Sequence, residues 1–335
     1  MSLAVSPRAD LFRLLGDEGR LRLLALCQEE ELTVGELATL LDESQPQVTK
    51  KSQPLREAGL LSARRDGTRT LLRAAAAEDA VVAAALEEGR ALCLRDGSLA
   101  RVAAVVAQRE EASRRFFEEK PGAADSDVAA ALDHELVAWL PVFAPLLPGR
   151  ALAVDVGTGE GTLLPLLSPL YERVVAVDRS PARLARCSAR LARWGLPNVR
   201  LREGHVEDPD LLQEISSRGG ADLVLMARVL HHAARPQDAI AAAARMLRPG
   251  GHLLVVDYLP HEDESMRDQG DVWLGFEPGK LRAFIEAALL ESAAATALPA
   301  PSALAAGARI AHQHQRHPDP PLQLALGRRP QRTLH

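Results

Sequence analysis

The chain has 335 residues, 47% of them hydrophobic and 25% charged, and a formal net charge of −5 at pH 7. That length exceeds the size at which one core usually stops growing, so two domains are expected, and the acidic balance gives no global attraction for a polyanion. Three scattered cysteines, Cys27, Cys93 and Cys187, argue against a disulfide framework or a thiolate metal site, and the lack of a long apolar run or signal-peptide core points to a cytoplasmic protein without membrane association.

Residues 10–73 read as helices followed by a hairpin. Leu11, Leu14, Leu15, Leu21, Leu23, Leu24 and Leu26 have helical apolar spacing. Thr33 with Glu36 three residues on has the capping-box spacing for a short helix ending near Leu41. After the turn Asp42-Glu43, Ser44 can cap a second helix, with Pro46 tolerated in its first turn. Pro54 stands inside that second helix, where it removes an amide donor and clashes with the Lys50 carbonyl, so a break at Ser52 is expected. Asp66-Gly67 between two strand-like runs signals a β-hairpin. From Lys50 to Arg73 there are seven basic residues against Glu57 and Asp66, a local positive face within an acidic chain.

The runs L-T-V-G-E-L-A, S-Q-P-Q-V, L-R-E-A-G-L-L and R-R-D-G-T-R resemble the winged-helix repressors of the ArsR type, over residues 8–73. The resemblance implies a homodimer on double-stranded operator DNA, with Gln47, Thr49 and Lys50 near base edges, Lys51 beside them, and Arg64, Arg65 and Arg69 of the wing on backbone phosphates. Many members sense metals through cysteines in the helix that corresponds to Thr33–Leu41. This chain has none there, so no metal site is expected.

Residues 74–125, rich in Ala, Leu, Val, Glu and Arg, predict two helices, about Glu78–Leu94 and Ser98–Glu119, as a linker and dimerisation segment. Asp127–Leu147 reads as a further amphipathic helix opening a third segment, residues 126–330.

That segment is organised around Ala151-Leu152-Ala153-Val154-Asp155-Val156-Gly157-Thr158-Gly159-Glu160-Gly161-Thr162, a buried strand running into a glycine turn. A helix is expected from about Thr162, its amides facing a ligand over the turn. A dinucleotide site would space its glycines as G-x-G-x-x-G; here the third comes one residue early. The next strand, Val174–Asp178, ends in a carboxylate 17 residues after Gly161, where such folds place an acid for ribose hydroxyls. The pattern D-x-G-x-G-x-G resembles the first motif of class I S-adenosylmethionine-dependent methyltransferases. The cofactor implied is S-adenosylmethionine, or S-adenosylhomocysteine as bound ligand, on Asp155, Gly157, Gly159, Gly161, Asp178, Arg179, His205, Val206 and Arg228. In that family a polar residue, often Asp, contacts the adenine just after the glycine that corresponds to Gly204; here it is His205, which leaves the adenine to His205, the Val206 amide or Glu207.

Asp222–Met226 and His252–Asp257 read as the fourth and fifth strands, and the alternation of strands with helices predicts an α/β, doubly wound, Rossmann-like parallel sheet. Asp222–Asp257 resembles small-molecule methyltransferases of the ubiquinone and menaquinone type. Leu289–Leu298 and Leu322–Gly327 suit a closing antiparallel hairpin, around an insert at 299–321 with His312, His314 and His317 that is expected to be a disordered loop. Methyl transfer from a sulfonium asks the protein mainly to bind and align. Where a base is needed, His231, His232 and Tyr258 stand at the carboxyl ends of strands four and five, with Asp257 and His261 as alternatives. Two functions remain open: a transcription regulator whose second domain binds the cofactor as effector, and a small-molecule methyltransferase whose head dimerises or directs it.

Overall fold

A computed structural model describes residues 7–75, 79–119, 141–142, 144–298 and 320–331. The chain divides into two compact units, Met1–Arg109 and Glu110–His335.

The first unit contains α1 (Pro7–Leu15), α2 (Glu18–Glu29), β1 (Leu32–Thr33), α3 (Val34–Leu41), α4 (Gln45–Glu57), β2 (Leu61–Asp66), β3 (Arg69–Ala74), α5 (Ala80–Arg95) and the start of α6 (Ser98–Glu119). The capping box forms: Thr33 Oγ1 accepts from the Glu36 amide at 3.1 Å and the Glu36 carboxylate accepts from the Thr33 amide at 2.7 Å. Asp42, in the left-handed region at φ 55°, ends α3. The chain then re-enters a helix at Gln45, where Gln47 Oε1 accepts from both the amide and the hydroxyl of Ser44, each at 2.8 Å.

Contrary to the sequence expectation, α4 runs unbroken through Pro54 to Glu57. Val48, Ser52 and Leu55 are fully buried along one face, so packing outweighs the single lost hydrogen bond. Lys50, whose carbonyl Pro54 leaves unpaired, lies on the exposed face where water can take it. The hairpin pairs Asp66 with Arg69, so its two-residue loop is Gly67-Thr68, one position later than the Asp-Gly signal suggests. Gly67 at φ 61° supplies the positive φ that the first loop position of a type II′ turn requires. With β1 added, the small sheet runs β1-β3-β2, and a core of Leu23, Leu24, Leu26, Leu32, Leu37, Leu40, Val48, Leu55 and Leu72 closes the winged-helix arrangement.

Two arginines tie it together. Arg109 of α6 forks onto Glu36 (Nε–Oε1 2.9 Å, Nη2–Oε2 2.7 Å) and donates to the Glu31 carbonyl at 3.0 Å. Arg64 of β2 forks onto the Glu31 carboxylate at 2.8 and 3.3 Å. Burial alone would raise the Glu36 carboxyl, but Arg109 and the Thr33 hydrogen bonds hold it below its ordinary value.

The second unit contains β4 (Ala153–Val156), α7 (Leu164–Leu167), β5 (Val174–Asp178), α8 (Pro181–Trp194), β6 (Val199–Glu203), α9 (Pro209–Ser217), β7 (Ala221–Ala227), α10 (Pro236–Met246), β8 (Leu247–Tyr258), α11 (Pro278–Ala287), β9 (Glu291–Ala297) and β10 (Leu322–Arg328). The seven-stranded sheet runs β6-β5-β4-β7-β8-β10-β9. The first five strands are parallel, and β10 inserts antiparallel between β8 and β9. Chain order reverses between β4 and β7, so the ligand crevice of such a sheet opens at their carboxyl ends. The first helix starts at Leu164 rather than Thr162 and makes a single turn. Pro165 explains the delay, since it is tolerated at the first helical position but lacks the amide needed a turn later.

The expected helix Asp127–Leu147 lies largely outside the described residues, as does the insert at 299–321. Among the described residues no helix is long and apolar enough to cross a membrane.

Replacing Arg109 with Ala strands the part-buried Glu36 and Glu31 groups, and should cost the first unit about 3 kcal/mol. Because the Glu36 carboxyl is depressed in the folded state, its contribution is present above its unfolded value and fades as pH falls through the carboxylate range. Urea unfolding of the full chain at pH 7 and near pH 4 should show a smaller gap between Arg109→Ala and the parent at the lower pH.

Candidate functional site

Strand β4 is buried at all four positions and delivers Asp155 and then the glycine turn to the carboxyl edge of the sheet. The amides of Gly157 and Thr158 both donate to the Val177 carbonyl, at 2.8 and 2.9 Å, which ties the turn to β5. Gly157, Gly159 and Gly161 adopt φ of 70°, 57° and 83°, in the left-handed region that favours glycine. Their surroundings differ. A Cβ on Gly157 would run into the Val229 side chain, and one on Gly161 would lie 2.6 Å from Cys187 Sγ, so those two are required by packing. At Gly159 the nearest atom would be Arg183 Nη1 at 3.5 Å, an ordinary contact. Gly159 is therefore the position where a missing side chain leaves room for something other than the protein.

Asp178, buried at the end of β5, accepts from the Gly159 amide at 2.7 Å through Oδ2 and from the Ser180 amide at 2.9 Å through Oδ1. Ser180, not Asp178, caps the next helix through its hydroxyl, and each carboxylate oxygen of Asp178 keeps a second lone pair for a ligand hydroxyl. Asp155 is 2% exposed, and burial, with the neighbouring Asp178 charge adding to it, pushes its carboxyl up to about 6. Beyond β6 the His205 amide donates to Asp208 Oδ2 at 2.9 Å, so Asp208, which the sequence did not single out, shapes that turn. Val206 is buried and His205 half-buried. Arg228 follows β7 with φ 56°, a non-glycine residue in the left-handed region, its amide on the Val256 carbonyl at 2.7 Å and its guanidinium 5.8 Å from the Tyr258 ring centre. Such strain at a strand end beside a crevice is common at functional sites.

The histidine pair lies at the same edge. His231 Nδ1 is 2.8 Å from Asp257 Oδ1, and the Asp257 carboxylate also accepts from the amides of Leu230, His231 and Tyr258. Burial by itself would lower the His231 pKa, but Asp257 holds it above the ordinary value; His232, also pushed down by burial and by the charge of His231, lies well below it. The charges of Arg179 and Arg183 also push His232 down. His231 is 2% exposed and Tyr258 2%, so of the three residues named as candidate bases only His232 is half-buried rather than buried.

A group the sequence did not suggest joins them. Gly270, at φ 88°, ends the 3₁₀ turn Glu264–Gln269 and sends the chain back so that the amides of Val272 and Trp273 both donate to the His231 carbonyl at 3.0 Å. The Trp273 indole donates to the Ala233 carbonyl at 2.6 Å. Asp271 is thereby buried with Oδ1 3.6 Å from His231 Nε2 and 3.6 Å from His232 Nδ1. A separation of 39 residues from His232, with no local spacing rule, hid it.

The nucleic-acid candidates lie in the first unit. Gln47, Thr49, Lys50, Arg65 and Arg69 are exposed. Arg64 is paired with Glu31, and Lys51 Nζ sits 2.5 Å from Glu43 Oε1, so both cations already have a partner within the fold. Gln47, though exposed, has its carbonyl engaged at the start of α4.

Asp155 gives the site a pH signature. Its folded value of about 6 lies above the unfolded 3.8, so the folded state holds the proton more tightly and stability falls as pH rises between them. The loss should approach about 3 kcal/mol for the second unit. Asp155→Asn should flatten this slope in unfolding curves taken from pH 4 to pH 7, whereas an equally steep slope in the variant would place its origin elsewhere.

Residues 154–253 match the family model described as a methyltransferase domain. The chain is 30% identical over 122 residues to the ubiquinone biosynthesis O-methyltransferase of Paracidovorax citrulli, covering 35% of this chain and 49% of that protein. It is 47% identical over 58 residues to the arsenical resistance operon repressor of Escherichia coli, covering 17% and 50%. A 37.1 kDa protein of transposon TN4556 from Streptomyces fradiae is 35% identical over 111 residues, covering 32% and 30%. The chain thus spans half or less of each of these relatives. The second unit carries a class I methyltransferase domain of Rossmann-like fold, on a chain that resembles an ArsR-type winged-helix repressor fused to it.

Proposed function

We propose that the chain is a DNA-binding transcription regulator of the ArsR type whose methyltransferase domain binds S-adenosylmethionine or S-adenosylhomocysteine as effector. The observation that carries the reading is the outer face of α4. Gln45, Gln47, Thr49, Lys50, Gln53 and Arg56 are exposed and polar, while Val48, Ser52 and Leu55 bury the opposite face. A helix presented after a tight turn, with a two-stranded wing carrying Arg65, Arg69 and Arg73 at the surface, suits a major groove and its flanking phosphates. The likeness to the arsenical repressor supports it. Since Arg64 and Lys51 are committed within the fold, the phosphate contacts fall to Lys50, Arg56, Arg65, Arg69 and Arg73, on a dimer whose two half-sites lie a helical turn apart.

The cofactor rests on Gly159 and Asp178. The open space above Gly159 admits a ligand close to the backbone, and Asp178 retains acceptor positions for ribose hydroxyls. Asp155, Gly157 and Gly161 belong to the strand and turn, and Arg179, His205, Val206 and Arg228 would complete the ligand's surroundings. Gly159→Ala has space for its methyl group and should cost the fold only about 1 kcal/mol. It should nevertheless weaken S-adenosylhomocysteine binding at least tenfold by calorimetry, and unchanged affinity would remove the cradle from the reading.

Regulation is tested by fluorescence anisotropy on the chain's own upstream DNA. Arg65→Ala should weaken all sequences alike and lower the salt slope by roughly one, and Lys50→Ala should in addition change preference among sequences. Saturating S-adenosylmethionine or S-adenosylhomocysteine should shift operator affinity roughly 5- to 150-fold, and operator DNA must shift the ligand's affinity by the same factor. Identical operator affinity with and without ligand would defeat the effector role.

A second reading, a small-molecule methyltransferase, is favoured by one feature: the buried Asp257–His231 pair beside the crevice. Bound S-adenosylmethionine supplies an activated methyl group. The protein's share is to align the acceptor and hold its proton, with the half-buried His232 nearest solvent and the buried His231 and Tyr258 beside it. Turnover on added phenols or amines would favour this reading.

A further inference from the structure

We infer that His231, His232 and Asp271 form a binding site for a borderline divalent transition metal, of the class of zinc or cobalt, with coordination positions left over for solvent or an acceptor. One ligand atom from each of the three lies within 4.8 Å of the others. The separation of 3.6 Å between Asp271 Oδ1 and His231 Nε2 is close to the roughly 3.4 Å edge of a tetrahedron drawn with metal–ligand bonds of about 2.1 Å.

The surroundings are those of a metal site rather than of an isolated ion pair. Metal-bound histidines typically give their second nitrogen to a carboxylate or a carbonyl, which fixes tautomer and ring orientation. His231 does so with Asp257 at 2.8 Å, and His232 Nδ1 donates to the Gly270 carbonyl at 3.0 Å, which leaves His232 Nε2 for the metal. Asp271 is 6% exposed and its Oδ2 is buried without a hydrogen-bond partner, a costly state for a carboxylate that a cation would relieve. Arg228 and Arg267 act on Asp271 by charge, and the Arg267 guanidinium donates to Glu264 and to the Val272 carbonyl. His232 is the more open of the three and gives the route in. Two imidazoles and one carboxylate without thiolate select zinc, cobalt, nickel or ferrous iron over calcium or magnesium.

The inference stands apart from the effector and DNA readings, since metal binding is measured without either ligand. Chelator-treated full-length protein titrated with Co²⁺ should take up one equivalent with visible d–d absorption, and Zn²⁺ should displace it. Asp271→Asn and His232→Ala should each weaken Co²⁺ binding at least 100-fold, and Asp257→Asn about 10- to 100-fold through the orientation of His231. The variant His312→Ala/His314→Ala/His317→Ala separates this site from the histidine-rich insert and should bind as the parent does. Far-ultraviolet circular dichroism and an unchanged thermal unfolding midpoint serve as the folding control. Should a variant fail to fold, X-ray absorption on the zinc-loaded parent still decides: two imidazoles with oxygen ligands and no sulfur are expected. No stoichiometric uptake by the parent, a sulfur ligand, or binding lost in the insert variant and kept in Asp271→Asn would overturn the assignment.

Discussion

The hydrogen bond from the Gly159 amide to Asp178 Oδ2 is the constraint on which the second unit's ligand crevice depends. It joins the turn after one parallel strand to the end of its neighbour. The other oxygen of the same carboxylate accepts from Ser180, whose hydroxyl caps α8. One buried side chain therefore fixes the glycine turn, the exit of β5 and the start of the next helix. Hydrogen bonds to a charged acceptor contribute roughly 1.5 to 3 kcal/mol each, enough to hold a turn whose three glycines are in conformations that other residues avoid. Burial raises the Asp155 carboxyl, and the like charge of Asp178 adds to it.

The other side of the crevice is braced from the far end of the chain. Strand β10 brings Gln323, fully buried, to donate to the Tyr258 carbonyl at 3.0 Å and to the Phe276 carbonyl. Phe276 in turn donates its amide to the Tyr258 carbonyl at 3.0 Å, so the segment carrying Asp271, Trp273 and Phe276 is pinned across the ends of β7 and β8. The inserted antiparallel strand thus does more than close the sheet; it fixes the loop that faces the histidines.

Local rules made much of this legible. The Thr33–Glu36 capping box, the turn before Ser44, the glycine pattern after β4 and the acid at the end of β5 each depend on residues within a few positions of one another, and spacing alone reveals them. The alternation of strands and helices from Asp155 to Asp257 likewise gave the parallel sheet. The failures share another cause. Pro54 was weighed by its local clash, whereas burial of Val48, Ser52 and Leu55 decides that α4 continues. Arg64 looked like one of seven similar cations, and only folding shows that Glu31, 33 residues away, claims it. Asp271 joins His231 through a carbonyl that two later amides share. Tertiary pairings between distant residues carry no spacing to read.

Both units pair buried or part-buried ions across elements, Arg190 with Glu160 and Arg248 with Asp222 in the second, but the second also holds a polar cluster of another kind. In the first unit the buried or part-buried ions are paired across elements, Arg109 with Glu36 and Arg64 with Glu31, an arrangement that orients a wing and a helix. In the second, Asp257 and Asp271 flank two imidazoles whose centres are 4.0 Å apart and whose planes are tilted by 56°. Placing two carboxylates in a protein interior costs far more than an apolar filling of the same volume. A domain that only sensed a cofactor at the glycine turn could fill the ends of β7 and β8 with leucine and valine at a gain in stability. The polar cluster is therefore best understood as chemistry kept beside the cofactor crevice, which ties the regulator and methyltransferase readings to one site and makes that site's ligand the point at which they part.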